Sequence, residues 1–330
     1  MTKEIKYIEK VEIKGLWNKF DIEWNLNKDV NILAGGNGSG KSTILKFMYG
    51  FITSNLPAQT DTIFIGHMNI YLDNKEAVFF HQMTFKNKDI SEVIKIDDKA
   101  VTEALGKGFK KSETTSFGLT LSSKREKIEE INKNICIDFI STFNSQLKSS
   151  EEIKKLDIKI ETDLDLEIYK LQKYYIEYQL NISRKIIANT SKNPKKEITK
   201  IREPQNDFLA IIDGCFAETN KKINREKNEI SFLVDDTEIT AYQLSSGEKQ
   251  LLIILLKTLI QDNKQSILFL DEPEISLHID WQKQLIGFIR QLNPNVQIIM
   301  ATHSPAMIMN GWLDKVFNVS DLIVPKSKLS

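Results

Sequence analysis

The stretch that most limits the fold is VNILAGGNGSGKSTILKFMY, residues 30–49. Val30 to Leu33 read as a buried strand, the glycines as a turn, and Ser42 to Tyr49 as the start of a helix whose first residue is Lys41. In that context the spacing Gly35-x-x-x-x-Gly40-Lys41-Ser42 satisfies the phosphate-loop pattern. Gly36, Gly38 and Gly40 let successive backbone N–H groups converge on one hollow, where the helix N-terminus adds partial positive charge. Phosphate is the natural occupant. Lys41 is placed to reach the β- and γ-phosphates of a nucleotide triphosphate and Ser42 to ligate Mg²⁺. The expected binding set is Gly35, Asn37, Gly38, Ser39, Gly40, Lys41, Ser42 and Thr43, with a nucleotide triphosphate and Mg²⁺ as the groups bound. The competing reading is a glycine-rich turn capping an ordinary helix.

At 330 residues and 41% apolar content, the chain can bury one large core or two ordinary ones. No run of uncharged apolar residues is long enough for a membrane span, and the charged start MTKEIKYIEKVEIKG is no signal peptide, so a cytoplasmic location without membrane partners is expected. Cys136 and Cys215 lie far apart, which suggests neither a disulfide framework nor a zinc site. Lys plus Arg equals Asp plus Glu at 45 each, so no global charge announces nucleic acid. KGFKKS and NPKKEITKIR are local basic stretches, read as solvated loops or as a small basic face.

Three strands are expected before the loop, around Ile8 to Ile13, Phe20 to Leu26 and Val30 to Leu33. A hairpin follows around IYLDNKEAVFFHQ with Asp73-Asn74 at its turn. From about Ser123 the texture turns helical, through KREKIEEINKNICIDFISTFNSQL and on to Lys185, with another helix from Asn206 to Arg225. Leu164, Ile168, Leu171, Tyr175, Tyr178 and Ile182 fall on one helical stripe, which either packs inside the protein or faces a partner. Residues 100–122 and 188–205 read as loops. The expected architecture is α/β: a β-rich part at 1–123 with the phosphate loop, a helical insert at 124–225, and a second α/β part at 226–330.

In that last part SILFLDEPE is an apolar strand ending in adjacent acids, and VQIIMATHSP is a second such strand ending in Thr302-His303-Ser304. Polar residues at the carboxyl ends of parallel buried strands place a ligand at that sheet edge. Asp271 is expected to hold the Mg²⁺ of the bound nucleotide, and Glu272 to act as general base on the attacking water.

LSSGEKQ at 244–250 resembles the signature motif of ATP-binding-cassette ATPases, Leu-Ser-Gly-Gly-Gln, from which Ser246 and Glu248 depart. The resemblance implies a P-loop ATPase head with a mixed or parallel core sheet, and a composite site in which Ser245 and Gly247 of one subunit meet the γ-phosphate held by another. It further implies that His303 of ATHSP is the switch histidine acting beside Glu272 in catalysis, and that Gln82 of VFFHQ is the glutamine reporting nucleotide at the metal. Read alone, SSGE is an ordinary helix start, and Gln82 an exposed hairpin residue.

The distance from loop to signature is about twice that of membrane-transporter cassettes, while the longest stripe spans only about three heptads, roughly 30 Å, too short for the arms of chromosome-maintenance ATPases. The chain is most similar to overcoming-lysogenization-defect-type ATPases and the ATPase subunits of anti-phage systems such as Septu and retrons, where EPE-x-SLH and ATHSP recur. Overcoming-lysogenization-defect proteins carry a C-terminal metal-dependent nuclease domain, yet 25 residues follow Pro305 here, so any nuclease involved is expected on another chain. The resemblance implies an ATP-dependent homodimer, or a larger oligomer, regulating a separate effector in anti-phage defence. The alternative is a DNA-binding ATPase of repair or recombination.

Overall fold

The computed structural model describes residues 5–17, 19–53, 67–75, 77–86, 116–122, 125–141, 160–189 and 193–324. The strands are β1 (Ile8–Leu16), β2 (Phe20–Asn25), β3 (Val30–Ala34), β4 (His67–Leu72), β5 (Ala77–Lys86), β6 (Ser116–Ser122) and β7 (Cys136–Ser141). They continue with β8 (Lys221–Ile223), β9 (Ser231–Val234), β10 (Thr237–Thr240), β11 (Ser266–Asp271), β12 (Val296–Ala301), β13 (Val316–Asn318) and β14 (Ile323–Val324). The α-helices are α1 (Lys41–Thr53), α2 (Arg125–Asn134), α3 (Asp163–Ile187), α4 (Pro194–Cys215), α5 (Ser246–Ile260), α6 (Ile279–Leu292) and α7 (Pro305–Met309).

Contacts divide the chain into two compact units, one of residues 1–28, 46–134 and 319–330, the other of residues 29–45 and 135–318. In the first, β14-β2-β1-β4-β5-β6 form one antiparallel sheet. Alternation along β1 and β2 buries Ile8, Val11, Ile13, Ile22 and Trp24 on one face, the half-buried pattern expected of an antiparallel sheet. The β4–β5 hairpin turns at Asp73-Asn74 as its sequence indicates, and Asp73 Oδ1 accepts from the Lys6 N–H at 2.8 Å.

The second unit is built on the sheet β13-β3-β12-β11-β7, parallel throughout. Every residue of β11 and β12 is buried, which only a sheet covered on both faces permits. Leu251 to Leu256 of α5 are all buried in the same core as Leu268, Leu270, Ile298 and Met300. Leu285, Ile286, Ile289 and Leu292 of α6 join it. The α3 stripe packs inward: Ile168, Leu171, Tyr175, Tyr178 and Ile182 are buried, and Leu164 packs against them half-buried. Tyr175 and Tyr178 are therefore core residues, not partner-facing ones.

Three elements depart from expectation. The helical texture after Ser123 ends at Asn134, and Cys136–Ser141 is instead an edge strand paired in parallel with β11. The misreading has a cause: Ile128, Ile131, Ile135 and Phe139 keep a helical period across the helix–strand junction. The helix expected at 206–225 runs from Pro194 to Cys215, so most of 188–205 is helix, not loop. Asn193 caps it, Pro194 takes the first turn, and Pro204 is tolerated inside. The stretch 188–205 thus carries the start of α4, while 100–115 lies outside the described residues. Finally, the loop expected at 100–122 ends in a strand, since Ser116–Ser122 is β6; α3 and α4 share the core of α5. Both cysteines are free; burial pushes Cys215 up to about 11 and Cys136 up to about 12. Among the described residues, no helix is long and apolar enough to cross a membrane.

Candidate functional site

The register of the parallel sheet brings three chain segments level. Leu33 pairs with Ala301 and Ala301 with Asp271, so β3, β12 and β11 end side by side. The glycine loop leaves β3, Thr302-His303 leaves β12, and Asp271-Glu272 close β11. This is the carboxyl edge at which parallel α/β sheets take ligands.

The loop is partly exposed at Gly36, Asn37 and Gly38 and turns through left-handed backbone at Gly38 and Gly40, with φ of 75° and 96°. Gly35 also has positive φ, whereas Gly36 does not, so the turn rests on Gly35, Gly38 and Gly40 instead of the expected trio. Open space lies beside Gly36 and Gly38 where a Cβ would stand. Ser39 N–H donates to Gly36 O at 3.2 Å and Ile44 N–H to Gly40 O at 2.8 Å, so the helix begins inside the turn. Ser42 and Thr43 are half-buried in the first turn of α1.

Lys41 is 4% exposed. Its Nζ donates to Gly35 O at 3.0 Å and Gly36 O at 3.2 Å and lies 2.7 Å from His303 Nε2. A charged ammonium can only donate, so His303 Nε2 is the acceptor of this contact. Burial holds the Lys41 pKa below its ordinary value, against the pull of the Glu272, Asp271 and Glu274 carboxylates. Glu272 Oε1 stands 3.5 Å from the same His303 Nε2. Lys41, His303 and Glu272 therefore form a continuous line of polar groups across three strand ends.

Two acids beside each other are held differently. Asp271, the last residue of β11, is fully buried. Glu272 is in left-handed backbone at φ 51°, with its N–H donating to Ala301 O at 2.9 Å and its side chain partly exposed. A non-glycine residue there is strained, and such strain clusters at functional sites. Glu274 was not singled out by its sequence, although it stands in the same acidic run; its Oε1 accepts from the His303 N–H at 2.7 Å and fixes that backbone. The donor set suits Mg²⁺, since Asp271 and Ser42 offer hard oxygens at the loop, and Mg²⁺ takes one or two protein oxygens with phosphate and water completing its shell.

Ser245 and Gly247 stand on another element, the first turn of α5. Ser245 is its N-cap: its Oγ accepts from Glu248 N–H at 3.4 Å, while Glu248 Oε2 accepts from Ser245 N–H at 2.8 Å and Ser245 Oγ–H at 2.9 Å. The plain capping box is thus present. Gly247 is packed so closely on Ser276 that a Cβ would lie 2.1 Å from its carbonyl oxygen. Glu248, one of the two departures from the signature motif, is 4% exposed and pairs with Lys221 Nζ at 2.9 Å. Burial would lift its pKa, but the hydrogen bonds from Lys221 and Ser245 hold it below the ordinary value. Next to it, Lys249 pairs with Asp165 Oδ1 at 2.8 Å, and Asp165 is itself the capping acid of α3. Nothing in the sequence marks Lys221. Gln82 pairs with Thr120 across β5 and β6, and its side chain lies outside the described residues.

Residues 30–309 match the protein family described as "AAA domain, putative AbiEii toxin, Type IV TA system". The chain is 22% identical to the "Retron Vc95 probable ATPase" of Vibrio cholerae serotype O1 biovar El Tor, over 89% of this chain and 70% of that protein. It is 21% identical to the "Septu protein PtuA" of Bacillus thuringiensis, over 94% of this chain and 74% of that protein. Among solved structures, the Smc head domain from Pyrococcus furiosus, crystallised with an extended coiled coil and the C-terminal domain of ScpA, superposes with a TM-score of 0.50 at 15% identity, covering 93% of this chain and 92% of that one. That likeness is one of fold alone. With the strand, loop and acid geometry above, the match over residues 30–309 shows that the chain belongs to this AAA-domain family and is a P-loop ATPase.

Proposed function

We propose that the chain binds ATP with Mg²⁺, hydrolyses it, and closes with a second copy around the nucleotide to control a separate effector, a nuclease, in anti-phage defence. The observation that carries the chemistry is the line Lys41, His303 and Glu272 at the ends of three adjacent strands, 2.7 Å and 3.5 Å between successive groups. The loop backbone of Gly35, Asn37, Gly38, Ser39 and Gly40, with Ser42 and Thr43, cradles the phosphates, and Lys41 turns from its carbonyl partners to the β- and γ-oxygens. Ser42 and Asp271 would hold Mg²⁺, which neutralises charge on the phosphate oxygens when bound. Glu272 accepts the proton of the attacking water as its oxygen bonds to the γ-phosphorus, the bridging oxygen leaving with ADP. His303, freed by Lys41, contacts the γ-phosphate and holds Glu272 in line.

Ser245 and Gly247 serve the nucleotide of the partner copy. The effector and defence roles draw on relatives named as a Septu protein and as retron ATPases. Sedimentation of Glu272→Gln with and without ATP tests closure: an ATP-dependent dimer is expected, and an unchanged monomer would refute it. Affinity purification of the tagged protein from its native host tests the effector, where a stoichiometric nuclease is expected and its absence after phage challenge would count against the role.

A further inference from the structure

Glu248 is in an electrostatically awkward place. It lies one turn into α5, directly below the Ser245–Gly247 turn, and is buried. If that turn receives a γ-phosphate, a carboxylate underneath repels it, and a buried charge is screened little. Yet the carboxylate shape is needed, since Oε2 accepts both the N–H and the Oγ–H of Ser245 and so holds the helix start. The other oxygen, Oε1, accepts from Lys221 Nζ at 2.9 Å and Thr219 Oγ1–H at 3.2 Å. The nearest cation in sequence, Lys249, is engaged elsewhere, by Asp165 at 2.8 Å.

We infer that Lys221, on β8 and outside every motif, is a positioning residue that cancels the charge of Glu248 so that the Ser245–Gly247 turn can accept the γ-phosphate held by a second copy. This rests on the composite-site reading above. It assigns a role to a strand far from the phosphate loop in sequence. Lys221 keeps 18% of its side chain exposed and Glu248 only 5%, so removing the two partners has unequal consequences. Without Lys221 a carboxylate is left buried and uncompensated beneath the turn. Without the Glu248 charge, the ammonium can reach water along its flexible stem, and the turn stays attractive to phosphate.

The test measures ATP-driven closure by sedimentation in the Glu272→Gln background, and steady-state ATP turnover in the otherwise native chain. Lys221→Met should raise the ATP concentration needed for closure, and lower turnover, by about tenfold or more. Lys221→Arg and Glu248→Gln should both stay within about threefold of the parent, which corresponds to well under one factor of ten in the equilibrium. The double variant Lys221→Met/Glu248→Gln should recover most of the loss. A purely structural pair predicts instead that any loss follows a fall in Tm, with folded Lys221→Met closing and turning over like the parent when measured well below its Tm, which would overturn the inference. Should Lys221→Met not fold, Thr219→Asp decides: it adds a second carboxylate at an exposed position beside Glu248, and parental closure in that variant would overturn the inference. If the parent itself fails to close with ATP, the composite-site reading falls, an outcome distinct from any pattern among the Lys221 variants.

Discussion

Gly247→Ala is a sharp structural test of how the first turn of α5 is seated. A Cβ there would lie 2.1 Å from the Ser276 carbonyl oxygen and 3.2 Å from its carbon. Carbon–oxygen contacts ordinarily begin at about 3.3 Å, so α5 and the segment after Glu272 would have to part by about 1 Å. Neither side yields easily, because both are backbone and Ser276 already sits at φ 70°. Overpacking of this kind costs about 1–3 kcal/mol, and the backbone nature of the clash puts the expectation near the top, at about 2–3 kcal/mol. For a folding unit of this size that lowers Tm by about 4–12 °C. Because the displaced segment continues from Glu272, ATP turnover should fall with it. Thermal unfolding followed by circular dichroism, with turnover measured well below Tm, makes the comparison against Ser246→Ala. Ser246 is exposed, and its variant should change stability by less than about 0.5 kcal/mol. A Gly247→Ala protein with the parental Tm and turnover would refute the packing argument.

Lys41→Ala should weaken ATP binding strongly, measured by titration calorimetry, while Glu272→Gln should bind as the parent does and lose turnover; parental affinity in the first or parental rate in the second would remove the residue from its role. Asp165, whose pKa burial would raise but which the hydrogen bonds from Lys249 and Thr162 hold below its ordinary value, stabilises the fold fully above about pH 4 and loses that contribution as pH falls towards its lowered folded pKa. Denaturant titrations of Asp165→Asn should therefore show a shallower loss of stability below about pH 4 than the parent, and an equal slope would show that Asp165 is not the group titrating. Mixed Ser245→Arg and Lys41→Ala proteins, each inactive alone, should regain turnover because one of the two shared sites is intact; no recovery despite proven subunit exchange would leave the trans arrangement without support.

The residues of the loop, the two acids and His303 could be found in the sequence because each is tied to a strand end. A six-residue apolar run such as SILFLD or VQIIMA has few ways to be buried other than in a parallel sheet, and whatever follows it emerges at the carboxyl edge. What escaped detection depends on partners distant along the chain. Cys136–Ser141 became a strand because β11 offered a free edge in register, a fact local periodicity cannot contain. Lys221 meets Glu248 only after α4 and β8 have folded back onto α5, across 27 positions of sequence. Tyr175 and Tyr178 have the composition of an interface, and the neighbouring Phe208 and Ile212 of α4 decide that they are core.

The arrangement of Lys41 explains why bound nucleotide should be felt at the base. An ammonium has three N–H donors, and its three partners here are Gly35 O, Gly36 O and His303 Nε2. Phosphate entry must exchange these bonds, and charge-assisted contacts to phosphate are stronger than those to neutral carbonyls. Once Lys41 turns away, His303 Nε2 loses the donor that kept it an acceptor. It then faces Glu272 Oε1, 3.5 Å away, and, in the proposed mechanism, the γ-phosphate. Under the proposed mechanism, loading the loop thus changes the hydrogen bonding of His303, the group beside Glu272. The same chain holds the Ser245 hydroxyl proton on Glu248. Under the composite-site proposal that bond, too, is exchanged before Ser245 donates to a phosphate, so closure of two copies and release of His303 would each begin with the exchange of a local hydrogen bond.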